Sequence, residues 1–362
     1  MKQDSSYSFI HLYKFVAAMV IAMIFHFDDH FCTIVGLDNP FRGNMLTFYL
    51  SWHGWALTEL FFMFSGILFI HVYLPKIISG AYTFNRFMKR RILRLFPMIV
   101  LSTVTLYIIE LLLYRNDLKS WSGSLDIIPL LWNIFFGSGV VFNSGAYINE
   151  PVWYIGVLVL CYVIAYILAF IDRKYRSSSL FFIPVFAGLC IMYSGLQLPL
   201  LNFRVARGLV AFFLGCMLEL FMVHYNSYFP NRKKRLIIAA CLMLGFALLI
   251  LRLHFAGFGT MSSEVLFYDF FVFLPVIFLS MVCRPLNRIC SHPFIKVLGS
   301  LSYGIYLWNF VIYAEVYLII SLVDNGIARA QANIMMLWAI MCVMHLLVAY
   351  LAEKLVSYLQ RI

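Results

Sequence analysis

The sequence predicts an all-α membrane protein, a polytopic bundle of about ten transmembrane helices with both termini in the cytoplasm. Of its 362 residues, 63% are hydrophobic and only 12% are charged, whereas a soluble domain carries about 25% charged residues. Apolar runs of about 20 residues, the length that crosses a bilayer, recur along the chain. Lys and Arg cluster in alternate segments between these runs. We therefore predict a single transmembrane domain over residues 1–362, with no separate soluble domain.

Ten apolar runs are long enough to be predicted spans. They lie at about residues 8–27, 54–74, 92–113, 152–171, 179–200, 205–224, 236–255, 265–283, 297–321 and 331–355. The segment 125–142 is also apolar, but it is shorter and contains glycines, which predicts an interfacial or re-entrant piece. With the N-terminus inside, most of the 27 Lys and Arg residues fall on the cytoplasmic side. The positive-inside rule therefore predicts ten spans with both termini inside.

The net charge of +11 does not predict a nucleic-acid partner here, because the basic residues sit in short clusters between apolar runs. The eight cysteines lie mostly within those runs and include no CxxC pair, so neither a disulfide framework nor a metal site is predicted. The first apolar run lacks a cleavage site of small residues, and we expect it to be retained as the first span.

The first predicted span contains ionisable residues, which are expensive in a bilayer and therefore candidates for function. His26 lies at its outer end and is followed by Asp28, Asp29 and His30. An imidazole can take a proton from a hydroxyl near neutral pH, and a carboxylate can orient the ring. We predict His26, Asp28 and Asp29 as catalytic residues. His26, Asp29 and His30 could instead ligate a metal on one helix face, but three ligands at a loop end are a weak signal, and no metal is predicted.

Two other clusters of polar residues are candidates. The second span contains Glu59 and Ser65; the serine could act as a nucleophile only beside a base, and its other interpretation is a packing pair with Gly66. The third span opens with basic residues that include Arg90, Arg91 and Arg94. Arginine forks suit phosphate, so this cluster either anchors the topology or binds a phosphate-bearing cytoplasmic ligand.

Six segments, in this order, resemble the acyltransferase-3 family of integral membrane O-acyltransferases, which includes surface-glycan O-acetyltransferases. The segments read KFVAAMVIAMIFHF, ELFFMFSGILF, KRRILRLFP, VWYIGVLVLCY, ARGLVAFFLGCMLE and LGSLSYGIYLWN. The resemblance runs from about residue 8 to about residue 355. It implies transfer of an acyl group, usually acetyl, from a cytoplasmic coenzyme A thioester to a hydroxyl of an extracytoplasmic or lipid-linked glycan. Acyl-coenzyme A is then a co-substrate, and no bound cofactor is expected.

The resemblance also assigns residues. His26 matches the histidine essential for transfer, Arg91 and Arg94 match the RxxR pair linked to the donor, and Lys14 stands at a basic position. Arg90 is expected to assist at the donor site. The remaining predicted pocket or structural residues are Glu59, Ser65, Trp153 and Tyr303.

Three positions depart from the family pattern. The basic residue and the histidine are typically eleven apart in the family, but Lys14 and His26 are twelve apart. In a regular helix this offsets them by about 120°, unless a π-bulge absorbs one residue. Leu158 and Asn309 stand where the family often has Glu and usually has His, so we expect the roles of those two positions to be lost or moved.

Two other classes of function compete with the enzyme. A glycan or lipid transporter or flippase would also use ten spans with buried charges, although neither inverted repeats nor broken helices at matching positions are evident. An assembly subunit without chemistry would leave His26 and Arg94 unexplained. The enzyme interpretation predicts a multi-pass protein of a bacterial inner or plasma membrane, in contact with membrane lipid and with the two substrates. Its oligomeric state is left open.

Overall fold

The computed structural model describes residues 7–41, 43–120, 125–141, 147–175, 178–228 and 260–360. Within these ranges the regular structure is helical and contains no strand, which confirms the all-α prediction. Eight helices in this part of the chain are long and apolar enough to cross a membrane. They are α1 (Phe9–Val35), α2 (Met45–Ile78), α3 (Phe84–Arg115), α4 (Val152–Arg173), α5 (Phe203–Val223), α6 (Met261–Val282), α7 (Pro293–Ser321) and α8 (Ile334–Tyr358).

The two other predicted spans have different outcomes. The predicted span 179–200 corresponds to an apolar helix over Ser179–Ser194, which is shorter than the roughly 20 residues of a full crossing. The predicted span 236–255 lies outside the described residues. The described part of the apolar segment 125–142, residues 125–141, contains the eight-residue helix Ile127–Ile134, as expected of a short piece. The number of ten spans and the cytoplasmic termini stay predictions.

The third spanning helix begins earlier than its apolar run does. The predicted third span begins at about residue 92, but α3 begins at Phe84, so the basic residues ahead of the apolar run, including Arg90 and Arg91, lie on the same helix as Arg94. The side-chain oxygen of Thr83 accepts a hydrogen bond of 3.4 Å from the backbone N–H of Arg86. This bond satisfies a donor that the first helical turn leaves free, so the helix starts within the basic stretch.

Three of the spanning helices contain π-helical segments, in which one extra residue is accommodated per turn. In α1 the segments are Ile21–Phe25 and Phe27–Cys32. Two side chains from α7 and α8 bind backbone carbonyls of the first segment: the Tyr313 hydroxyl donates to Ala22, and the Trp338 indole N–H donates to Met23 at 2.7 Å. These bonds satisfy carbonyls in a stretch where the regular helical ladder is interrupted.

The chain packs as two compact units. The first unit comprises residues 1–10, 58–87 and 160–296, and the second comprises residues 11–57, 88–159 and 297–362. The prediction of a single domain stays a prediction.

The first unit contains a close approach of two helices. A Cβ atom on Gly66 of α2 would lie 2.0 Å from the carbonyl oxygen of Phe212 in α5, and one on Gly215 would lie 2.2 Å from the carbonyl oxygen of Met63. The thiol of Cys216 also donates to the Gly66 carbonyl, at 3.5 Å. Only glycine fits at such a crossing, which confirms the packing role expected of Gly66.

Candidate active site

His26 is the centre of a polar cluster in the second unit. It lies between the two π-helical segments of α1 and is 8% exposed. Its Nδ1 atom is 2.7 Å from Nδ2 of Asn309, a fully buried residue of α7. Burial and a short polar contact fix the plane of the imidazole ring, so one ring nitrogen is engaged by a neutral amide.

The Asn309 amide determines which nitrogen of His26 can act as a base. Oδ1 of Asn309 is buried and has no hydrogen-bond partner among the described residues. As placed, the Nδ2–H of Asn309 donates to Nδ1 of His26, which puts the ring proton on Nε2. Half a turn of the amide would exchange Nδ2 and Oδ1, so that Oδ1 accepts the Nδ1–H proton instead. Nε2 of His26 then carries the lone pair that a general base needs.

A second histidine lies beside His26. The ring centroids of His26 and His30 are 5.0 Å apart, and the Phe310 ring lies 5.0 Å from the first and 4.8 Å from the second. Nε2 of His30 is 3.3 Å from Oε2 of Glu150, and its Nδ1 is 3.4 Å from Asp29. Carboxylates thus flank His30, whereas Asn309 holds Nδ1 of His26. Asp28, which follows His26 by two residues in the sequence, is also buried.

Glu150 is carried by a short segment that is anchored in the core of the second unit. The neighbouring Asn149 is fully buried, and its Nδ2 atom donates to Oγ of Ser102 at 3.2 Å and to the Leu307 carbonyl at 3.1 Å. Its backbone N–H donates to Oδ1 of Asn133 at 2.9 Å. These buried bonds fix the position of the Glu150 carboxylate although it comes from a connecting segment.

A third imidazole acts on His26. His345 of α8 is fully buried and acts electrostatically on His26. Its Nδ1 is 2.7 Å from the Met341 carbonyl, and its ring centroid is 5.7 Å from that of Tyr313. Because Nδ1–H donates to that carbonyl, the neutral form of His345 has its lone pair on Nε2.

Three of the predicted donor residues, Lys14, Arg91 and Arg94, form another cluster in the second unit. Lys14 is half-buried, and Arg94 and Arg91 are the charged groups that act on it. Arg94 also acts on Tyr303 and Glu353, which come from α7 and α8. Four helices therefore contribute to one group of polar side chains around the exposed Arg94. The Tyr303 hydroxyl donates to the Leu95 carbonyl at 3.0 Å, which fixes α7 against α3 at this point.

The π-helical segment Ile21–Phe25 lies between Lys14 and His26. A regular helix would offset the two residues by about 120°. One extra residue in a π-turn removes about 100° of this offset, which leaves about 20°. A π-helical turn between the two residues was the condition under which Lys14 and His26 could share a helix face, and it is met. The twelve-residue spacing is therefore compatible with the family pattern.

The other predicted residues lie elsewhere. Glu59 and Ser65 belong to the first unit: Glu59 accepts a hydrogen bond of 2.5 Å from Arg207, and the Ser65 hydroxyl donates to the carbonyl one turn earlier, at 2.8 Å. That bond within the helix supports the packing interpretation of Ser65. Trp153 is buried in the second unit and packs on Gly139. Arg90 is exposed on α3, one turn before Arg94.

Four functional candidates were not predicted from the sequence as site residues: Asn309, Glu150, His345 and Glu353. His345 was visible only as one of several ionisable residues within predicted spans. Glu150 is in the long polar segment before the fourth span. Asn309 lies where the role of a family position was expected to be lost or moved, and its side chain contacts His26.

The long apolar helices define a multi-pass membrane protein. A family model described as an acyltransferase domain, that of the acyltransferase-3 family, matches residues 7–354. The chain therefore belongs to this family, as its sequence motifs predicted, and is an acyltransferase. Neither the curated proteins nor the solved structures include a match to it.

Proposed function

We propose that the protein transfers an acyl group, acetyl in the simplest case, from cytoplasmic acyl-coenzyme A to a hydroxyl of an extracytoplasmic or lipid-linked glycan. The observation that supports this proposal is that one compact unit contains both a buried imidazole held by Asn309 and the cationic group around Arg94. The glycan acceptor implies a role in the cell envelope, in a bacterial inner or plasma membrane.

The two clusters are separated along α1 by a distance that suits a long donor. Lys14 and His26 are twelve residues apart, which corresponds to about 18 Å along a helix. Coenzyme A carries its phosphates at one end and its thioester at the other. Arg91, Arg94 and Lys14 would bind the phosphates, and the acyl-bearing arm would extend beside α1 to the imidazole.

The proposed chemistry uses His26 as a general base. Nε2 takes the proton from the acceptor hydroxyl as its oxygen attacks the thioester carbonyl. The carbon–sulfur bond then breaks, and the imidazolium returns the proton to the leaving thiolate, which leaves an ester, a free thiol and neutral His26. A two-step route, in which Nε2 first takes the acyl group and then passes it to the hydroxyl, uses the same atoms. His30 and Glu150 would bind neighbouring hydroxyls of the acceptor.

The test uses membranes from cells that make the acceptor glycan. Acetyl-coenzyme A labelled in the acetyl group is added, and both free thiol and labelled glycan are measured. We expect His26→Ala to reduce both by at least about 100-fold, the usual contribution of a general base, at an unchanged amount of inserted protein. His292, which is exposed, provides the matched control: His292→Ala should keep wild-type rates.

Two results would contradict the proposal. Full glycan labelling by His26→Ala would remove the histidine from the reaction. If the wild type released no thiol, yet glycan still reached the outer surface only in its presence, the protein would be a transporter or flippase. Mass spectrometry of surface glycans, with and without the protein, would identify the acyl group from its mass increment.

A further inference from the structure

The first unit contains a buried cluster of charged side chains that the proposed reaction does not use. Glu59 of α2 and Asp269 of α6 are fully buried, and Arg207 of α5 is 6% exposed. The Arg207 Nε–H donates to Oε1 of Glu59 at 2.5 Å. Glu59 and Arg207 are also the charged groups that act on Asp269. The cluster therefore joins two carboxyl groups and one guanidinium from three helices.

The hydrogen bonding of this cluster is incomplete. Oε2 of Glu59 and both oxygens of Asp269 are buried and have no hydrogen-bond partner among the described residues. If all three groups were charged, the cluster would carry one net negative charge within an apolar helical bundle. An uncompensated buried charge costs several kcal/mol, and such a group usually becomes neutral instead.

The two carboxyl groups are not equivalent. Glu59 has a direct charge-assisted bond to the guanidinium, which is the strongest type of hydrogen bond available to it. Asp269 has the repulsion of Glu59 in addition to the attraction of Arg207. It lies in the π-helical segment Tyr268–Phe273, and such segments occur frequently at functional sites. A positive ligand that binds to Asp269 would therefore cancel the net negative charge of the cluster.

We propose that Asp269 is a proton-binding site, which is occupied at neutral pH, and that the Glu59–Arg207 ion pair next to it remains charged. All three side chains are almost completely inaccessible to solvent, and this favours a proton, the smallest positive ligand. With the proton bound, the cluster is neutral overall and the Asp269 O–H group becomes a hydrogen-bond donor to nearby acceptors. This site does not depend on the proposed acyl transfer or on its substrates.

Infrared spectroscopy of the purified protein in lipid nanodiscs tests the site directly. A protonated carboxyl group gives a C=O stretching band that a carboxylate lacks. At neutral pH we expect such a band in the wild type, and we expect Asp269→Asn to lose the intensity of one carboxyl group. Asp324 is exposed, so Asp324→Asn is the matched control and should retain the full band.

A second measurement needs no variant and therefore does not depend on whether Asp269→Asn folds. Labelling the wild type with [4-13C]aspartate should shift the intensity of at least one carboxyl group to lower frequency. The proposal would be overturned if the wild type lacked the band, if Asp269→Asn kept it, or if only glutamate labelling shifted it. Loss of the band in sodium chloride, but not in choline chloride, would instead identify a sodium site and would also overturn it.

Discussion

Replacement of Asn309 tests how the imidazole of His26 is activated. The two side chains are 2.7 Å apart and almost completely buried, so Asn309→Ala leaves Nδ1 of His26 without a partner in an apolar site. Such a loss costs about 1–3 kcal/mol. Since about 1.4 kcal/mol corresponds to a factor of ten in rate, we expect kcat to fall by about 5- to 150-fold. The rate is measured as thiol released from acetyl-coenzyme A at saturating donor.

Asn309→Asp distinguishes the two orientations of the amide. A carboxylate only accepts hydrogen bonds, so it can replace Oδ1 but not Nδ2. If the amide accepts the Nδ1–H proton, Asn309→Asp should retain more activity than Asn309→Ala, and the pH profile of kcat should move to higher pH because a carboxylate stabilises the imidazolium. If Asn309→Ala keeps the wild-type kcat, or if Asn309→Asp is the less active of the two, the assignment of Asn309 as the positioning residue is wrong.

Three further predictions concern the donor site and the helix packing. Arg94→Ala should raise KM for acetyl-coenzyme A by about 10-fold or more with a smaller change in kcat. Arg94→Lys should recover only part of the affinity, because lysine lacks the planar guanidinium fork. Steady-state rates at varied donor concentration measure KM, and an unchanged KM would refute this prediction. Tyr313→Phe removes a buried hydrogen bond to a carbonyl of the π-helical segment in α1 and should lower the free energy of unfolding by about 1–3 kcal/mol. This loss is measured as a lower midpoint in thermal unfolding, and an unchanged midpoint would contradict the role of Tyr313. Gly66→Ala places a methyl group 2.0 Å from a backbone oxygen of α5 and should reduce the yield of folded protein in detergent, whereas Gly43→Ala, with nothing within 4 Å, should not.

The fold was predictable because hydropathy alone decides which segments can be spans. The ends of the spans were less predictable, because local capping can extend a helix beyond its apolar run. At α3 the hydroxyl of Thr83 caps a helix that begins within the basic stretch, so the helix starts at Phe84 and not at the beginning of the apolar run near residue 92. Ser179–Ser194 shows the opposite case, in which an apolar run is longer than the helix it forms.

The sequence alone offers candidate site residues where a residue has unusual chemistry for its place, but not where a role would arise from contacts. A histidine at the end of an apolar run and a pair of arginines on a helix are conspicuous in any sequence. Asn309 is not, since an amide within a span is a common packing residue. Its importance comes from the 2.7 Å contact with a residue 283 positions away, which no local pattern encodes. Glu150 and Glu353 belong to the same class.

The π-helical segment between Lys14 and His26 in α1 means that regular helical spacing does not describe how these two residues are related. A rotation of about 100° per residue holds only while the helix stays regular, and the segment Ile21–Phe25 interrupts that regularity between Lys14 and His26. The Tyr313 and Trp338 side chains bind carbonyls within this segment, so α7 and α8 stabilise the irregular turn. The same helix α7 also carries Asn309, which contacts His26. One helix thus supports both the local geometry that aligns Lys14 with the histidine and the orientation of the imidazole itself, and a change in the packing of α7 would alter both together.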